Sequence, residues 1–156
     1  MSDLYCYFGS NWAGRAEGES ILDIFYKYNI AFAGFNSKDE KELNEYNNFK
    51  DKFKAGTNIA IANGKTVIAV GIAETDFDSL DNLNIDLLEE EKERCKDYDD
   101  LIKLAVKVKL FKLEKDDYFS LTTYIPKRLS NINDEDIKTE IDKRLKKYSG
   151  EKLKKK

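Results

Sequence analysis

Two short runs of small and β-branched residues, Ile59-Ala60-Ile61-Ala62 and Thr66-Val67-Ile68-Ala69-Val70, stand on either side of Asn63-Gly64. Asn-Gly is the strongest two-residue signal for a type I′ turn, because both central residues of that turn need a positive φ. The chain is thereby expected to form a β-hairpin near its middle, whose second strand continues through Gly71-Ile72-Ala73. Several strands following two early helices suit an α+β domain and do not suit the alternating βαβ order of a parallel sheet.

The other elements are placed by periodicity and capping. Leu4-Tyr5-Cys6-Tyr7-Phe8 reads as a buried strand that ends at Gly9, and residues 9–18, with three glycines and the sole tryptophan, read as a loop. Ser20 offers an N-cap to a helix with Ile21, Ile24, Phe25 and Tyr28 at helical spacing, and Asn29 ends it. Residues 29–36 predict a short strand leading into a loop. Residues 39–54 predict a helix with Leu43, Tyr46, Phe49 and Phe53 on one face, started by Ser37 or Asp39 and closed by a left-handed Gly56. Residues 74–100, with 12 acidic and 3 basic side chains, form an acidic excursion with one helical turn. Val106, Val108 and Leu110 alternate, then the pattern slips phase at Phe111, which predicts a long strand over 104–113 with a bulge. A further strand is expected over 118–124. Asn133 caps a last helix bearing Ile137, Ile141, Leu145 and Tyr148, and Gly150 ends it before a disordered basic tail, 151–156. The expectation is one α+β domain over residues 1–150, a small curved sheet or open β-barrel flanked by about three helices.

Composition narrows the chemistry. A chain of 156 residues, 41% hydrophobic, can build a core without staples. The sequence has no histidine, which removes the usual general base and the commonest metal ligand, and with them Ser-His-Asp, Cys-His and zinc chemistry. There is no Gly-x-Ser-x-Gly nucleophile motif and no Asp-x-Asp-x-Asp-Gly cation loop. The expectation is a non-enzymatic protein with no cofactor and no metal, and the run Glu89-Glu90-Glu91-Lys92-Glu93-Arg94 reads as a solvated face. Cys6 and Cys95, far apart, read as two reduced thiols. No apolar run is long enough to cross a bilayer, and the start carries no signal-like apolar segment, so a cytoplasmic protein without membrane contact is expected. Net charge is −3, but residues 126–156 carry +5, the one block basic enough to favour phosphate.

Three stretches resemble the PUA-like superfamily, in particular its EVE and YTH branches. Tyr5-Cys6-Tyr7-Phe8-Gly9-Ser10-Asn11 is similar to their opening strand and Ser-containing loop. Residues 20–32, ending Tyr28-Asn29-Ile30-Ala31-Phe32, resemble a YTH helix that runs into Asn-Ile-Trp, with Phe32 at the place of the cage tryptophan. Phe53-Lys54-Ala55-Gly56-Thr57-Asn58-Ile59-Ala60-Ile61 and Val70-Gly71-Ile72-Ala73-Glu74 resemble the EVE turn, its strand and its Val-Gly-Ile-Ala-Glu. The chain departs from these patterns at Phe32, which is not Trp, and at Thr57, which stands where EVE domains have Asp.

The resemblance implies a reader of a modified or flipped base in nucleic acid, in a prokaryotic defence, restriction or RNA-processing setting. Trp12 would stack on the base, a contact worth about 1–3 kcal/mol, and Ser10, Asn11 and Asn36 carry the donors and acceptors that read a base edge. Arg15 would meet a phosphate or a ring. Phe32 and Phe35, three apart in an extended segment, fall on opposite faces, and the resemblance selects Phe32 for the pocket and leaves Phe35 to the core. Each residue also has an ordinary use: turn formers, a tryptophan over a core edge, a solvated arginine. The alternative from another class is a protein-interaction or effector-sensing module that docks a partner through the acidic loop.

Overall fold

Along the first strand, β1 (Tyr5–Gly9), side chains fall alternately to two faces, and both faces are covered. The computed structural model describes residues 4–9, 21–63, 65–94, 101–121 and 129–154. After β1 come α1 (Leu22–Tyr28), β2 (Ile30–Asn36), α2 (Glu40–Lys52), β3 (Asn58–Asn63), β4 (Thr66–Ala73), β5 (Asp78–Ser79), α3 (Glu89–Arg94), β6 (Leu101–Lys112), β7 (Phe119–Ser120), β8 (Leu129–Asn131) and α4 (Glu135–Lys154). The strands form one mixed sheet in the order β2-β6-β4-β3-β1-β8, with β5 on β6 and β7 on β4. All pairs are antiparallel except β1 with β3. Because β1 also approaches β2, the sheet curls into a nearly closed barrel. The fold is therefore α+β, a curved barrel-like sheet with four helices among the described residues.

One sheet serves two cores. The first takes Cys6, Phe8, Ile59, Ile61, Ala73, Leu104, Val106 and Val108 from the strands, with Ile24 and Phe25 of α1 and the fully buried Phe53 and Phe77. The second takes Tyr7, Ala60, Ala62, Val67, Val70 and Phe111, and α4 covers it with Ile137, Ile141 and Leu145. Alternate residues of β1, β3 and β4 thus go to opposite cores, which is why these strands read as nearly continuous apolar runs.

Several local expectations are corrected. The phase slip at Phe111 is not a bulge: β4 and β6 stay in register from Ala69↔Lys112 to Ala73↔Val108. Val108 faces the first core and Phe111 the second, so the pattern changes because the strand passes from one core to the other. The irregularity lies in the hairpin, where Ile61 pairs with Ala69 but Ala62 with Val67. Asn63 belongs to β3 and pairs with Thr66, so it is not the first central residue of the turn that Asn63-Gly64 suggests; Gly64 lies outside the described residues. Helix α2 begins at its cap Asp39, whose carboxylate accepts from the N–H groups of Lys41 and Glu42. It ends at Phe53, so Gly56, with φ 94°, belongs to the following turn; there Thr57, fully buried, donates its hydroxyl to the Lys54 carbonyl at 2.7 Å. Helix α4 is capped by Asp134, which accepts from Asp136 and Ile137, whereas Asn133 accepts from the Asn131 amide. It runs through Gly150 to Lys154, because nothing at Gly150 requires the left-handed conformation that would stop it. The expected strand over 118–124 is two residues long where it is described, and Ser20 lies outside the described residues. Asn29 does end α1, in the left-handed region at φ 55°. No helix among the described residues is long and apolar enough to cross a membrane.

Candidate functional site

Hydrogen-bonded neighbours place three connections at one edge of the sheet. Gly9, where β1 ends, pairs with Ala62, and Phe8 pairs with Leu129, the first residue of β8. Asn63 pairs with Thr66, Thr66 with Ser120, and the Leu121 N–H donates to the Lys65 carbonyl at 2.7 Å. The exit of β1, the β3–β4 turn and both ends of the β7–β8 connection therefore share this edge.

Tyr26 of α1 comes to the same region. Its hydroxyl is shielded from solvent and has no hydrogen-bond partner among the described residues. The Lys112 ammonium, at the end of β6, lies 5.6 Å from the centre of the Tyr26 ring, within cation–π range. Burial, and then the nearby Tyr118, push the Tyr26 phenol up to about 12, so at neutral pH it is a hydrogen-bond donor. Lys112 is exposed, and among the described residues no carboxylate pairs with it.

Both flanks of this group are held by ionic clamps. On one side Glu91 of α3, only 5% exposed, accepts from Lys27 at 2.9 Å, from the Tyr28 hydroxyl and from the Leu88 N–H at 2.8 Å. The Tyr28 hydrogen bond chiefly, with help from Lys27, draws the Glu91 carboxyl down to about 2. This fastens α3 to the last turn of α1 and so fixes α1. On the other side Asp117 accepts from Lys147 at 2.9 Å and from the Tyr148 hydroxyl at 2.7 Å. Tyr148 in turn accepts from the Glu114 N–H, and Arg144 lies 4.3 Å from the Phe119 ring centre. Those contacts hold the 3-10 turn Lys115–Asp117 on α4, with Tyr118 directly after it.

The residues singled out from the sequence fall into two groups. Ser10, Asn11, Trp12 and Arg15 lie outside the described residues, in the segment that begins where β1 ends. Phe32 is 1% exposed in the first core, its ring edge-on to Phe25 at 5.2 Å. Phe35, at 6%, is also buried, against Tyr46 and Phe49 of α2. The two faces of β2 are both covered, so opposite orientation does not leave one ring free. Asn36 opens the turn into α2: its side-chain oxygen accepts from the Lys38 N–H, its own N–H donates to Glu42 and its carbonyl accepts from the Asp39 N–H. Phe32 and Asn36 stand four residues apart on one strand, about 13 Å. Tyr26, Lys112 and Tyr118 were not legible as a group, since each belongs to a different element and an unpaired hydroxyl leaves no mark on a sequence.

No family model matches the chain, and no curated protein matches it. Among the described residues no group of three or more cysteines or carboxylates is placed to hold a metal ion.

Proposed function

We propose that the protein is a non-catalytic reader of a modified or flipped base in single-stranded or locally opened nucleic acid. The supporting observation is the shared edge: β1 ends at Gly9 beside the ends of β3, β7 and β8 in a nearly closed barrel, and Ser10, Asn11, Trp12 and Arg15 follow Gly9 in the sequence. Barrel mouths are a recurrent place for ligand pockets, because loops there surround a rigid opening. In this reading Trp12 stacks on the base, Ser10 and Asn11 read its edge, Arg15 meets the backbone and Phe32 supports the pocket from within the core. Titration of the sole tryptophan's fluorescence with plain and methylated single-stranded oligonucleotides tests it. Saturable quenching, stronger for one modified base, is the expected result; no response to any oligonucleotide at micromolar protein overturns it.

A second reading, docking of a basic protein partner on the acidic loop, is favoured by Leu88. It is 50% exposed and is the one exposed large hydrophobic side chain among the described residues. It stands between Asp86 and the exposed Glu89 and Glu90. Leu88→Ser should abolish partner capture in that case and leave oligonucleotide binding unchanged.

A further inference from the structure

The basic block near the end of the sequence is carried on a helix, since α4 continues through Gly150 to Lys154. Its charge changes sign along its length. Residues 135–142 include Glu135, Asp136, Glu140 and Asp142 against Lys138, whereas residues 143–150 include Lys143, Arg144, Lys146 and Lys147 and no acid. The acidic half lies towards the start of β1, where the Tyr5 hydroxyl donates to Asp142 at 2.7 Å. The basic half packs on the connection from β6 to β7: Arg144 stands 4.3 Å from the Phe119 ring centre, and Lys147 and Tyr148 hold Asp117. Phe119 and Ser120 in turn pair with Val67 and Thr66, so the basic half belongs to the loop-bearing edge. Ile137, Ile141 and Leu145 point into the second core, and Thr139, Lys143 and Lys146 on the opposite line are exposed. Among the described residues Lys146 has no carboxylate partner, and Lys143 has a surface pair with Glu140 at 3.7 Å, an interaction worth little. One turn beyond Lys146, Gly150 has nothing within 4 Å of where a Cβ would stand, which leaves bare backbone that a ligand's chain can approach closely.

We infer that the outward face of α4 from Lys143 to Gly150 is a phosphate-binding track for the single strand whose base is read at the neighbouring edge, with Lys143 and Lys146 as its contacts and Gly150 as the point of closest approach. The inference rests on the reader function proposed above and assigns the strand its path across the protein. Charge complementarity selects the occupant. Exposed ammonium groups on a rigid helix neutralise phosphates and release their counterions, a contribution that depends on salt and not on base identity. A lipid surface fits less well, because a helix that lies on a bilayer inserts an apolar face, and the apolar face of α4 is covered by the sheet. The exposed carboxylates Glu114 and Asp116 at the 3-10 turn repel phosphate and so border the track on that side.

The test measures fluorescence anisotropy of labelled single-stranded DNA and RNA oligonucleotides, each with one plain or one methylated adenine or cytosine, against the full chain at several salt concentrations. The double variant Lys143→Gln, Lys146→Gln should weaken all oligonucleotides alike, keep the preference between bases, and lower the slope of log affinity against log salt by about 1.4, about 0.7 for each lysine on a single strand. Lys147 is kept because it holds Asp117. Gly150→Glu, which suits a helix better than glycine and sets a carboxylate on the track, should weaken binding several-fold. The control Lys52→Gln, Lys54→Gln removes the same charge from exposed positions ahead of β3, at the other end of the sheet, and should leave the slope as in the parent. If the Lys143, Lys146 variant keeps the parent slope, or the control lowers it as much, the inference is overturned while the reader function stands. Equal competition by phosphatidylserine vesicles also overturns it. If the slope falls as expected but no base is preferred, the track is supported and the reader function falls. If the parent binds no oligonucleotide, both fall.

Discussion

Gly71 shows how a single residue can be set by its neighbour strand. A Cβ built there would lie 2.5 Å from Cγ1 of Val108 and 2.7 Å from the Lys109 carbonyl oxygen, closer than real contacts allow, and the second of these is backbone in a paired strand. Gly71→Ala should therefore lower stability by about 1–3 kcal/mol, read as a lower urea midpoint. Glu91 gives a pH signature. Its folded carboxyl is drawn from the ordinary 4.5 to about 2, so the stability it supplies is present above the unfolded value and is lost as pH falls through the folded one. Urea unfolding between about pH 4.5 and 2 should show a destabilisation that Glu91→Gln lacks. Phe32 is enclosed as fully as Phe53, so Phe32→Ala should cost about 3–5 kcal/mol in thermal unfolding, like Phe53→Ala and more than the half-buried Phe49→Ala.

At the scale of elements, the helices separate what capping motifs announce from what they permit. Asp39 and Asn29 act as the sequence suggested, because each cap is local: Asp39 accepts from the next N–H groups with its side chain, and Asn29 turns the backbone left-handed and donates its own N–H to the Phe25 carbonyl. In α4 two polar residues in tandem, Asn133 and Asp134, both qualify, and only the path of the chain after β8 chooses Asp134. Asp134→Ala should cost about 1 kcal/mol, while Asn133→Ala should cost clearly less. Gly150 is helical with nothing within 4 Å of where a Cβ would stand, so Gly150→Ala should raise stability by about 0.5–1 kcal/mol. A glycine that stopped the helix would respond with the opposite sign, and thermal denaturation of the pair of variants distinguishes the two arrangements. The acidic excursion likewise divides by packing: Phe77, Leu87 and Glu91 are buried, whereas Glu89, Glu90 and Glu93 are exposed, so the run Glu89 to Arg94, which reads as one solvated face, turns Glu91 inward onto Lys27 and Tyr28.

For the whole molecule, one sheet between two cores implies that neither core survives alone, since β1, β3 and β4 lend alternate side chains to both and β6 passes from one to the other. Unfolding followed by far-ultraviolet circular dichroism and by tryptophan fluorescence should coincide in denaturant, and Val108→Ala and Phe111→Ala, in different cores, should each shift both curves together. Whatever depends on residues close in the chain was legible in the sequence: the hairpin, the amphipathic α2, the end of α1 at Asn29, the long strand and the α+β class. The tertiary structure decided where each apolar residue points once both faces of the sheet are covered. It turned the phase slip at Phe111 into a change of core, enclosed Phe32 and Phe35 together, and placed Gly71 under Val108. It also brought Tyr26, Lys112 and Tyr118 to one edge, because pairings between distant strands, and not periodicity along any one of them, set which side chains meet.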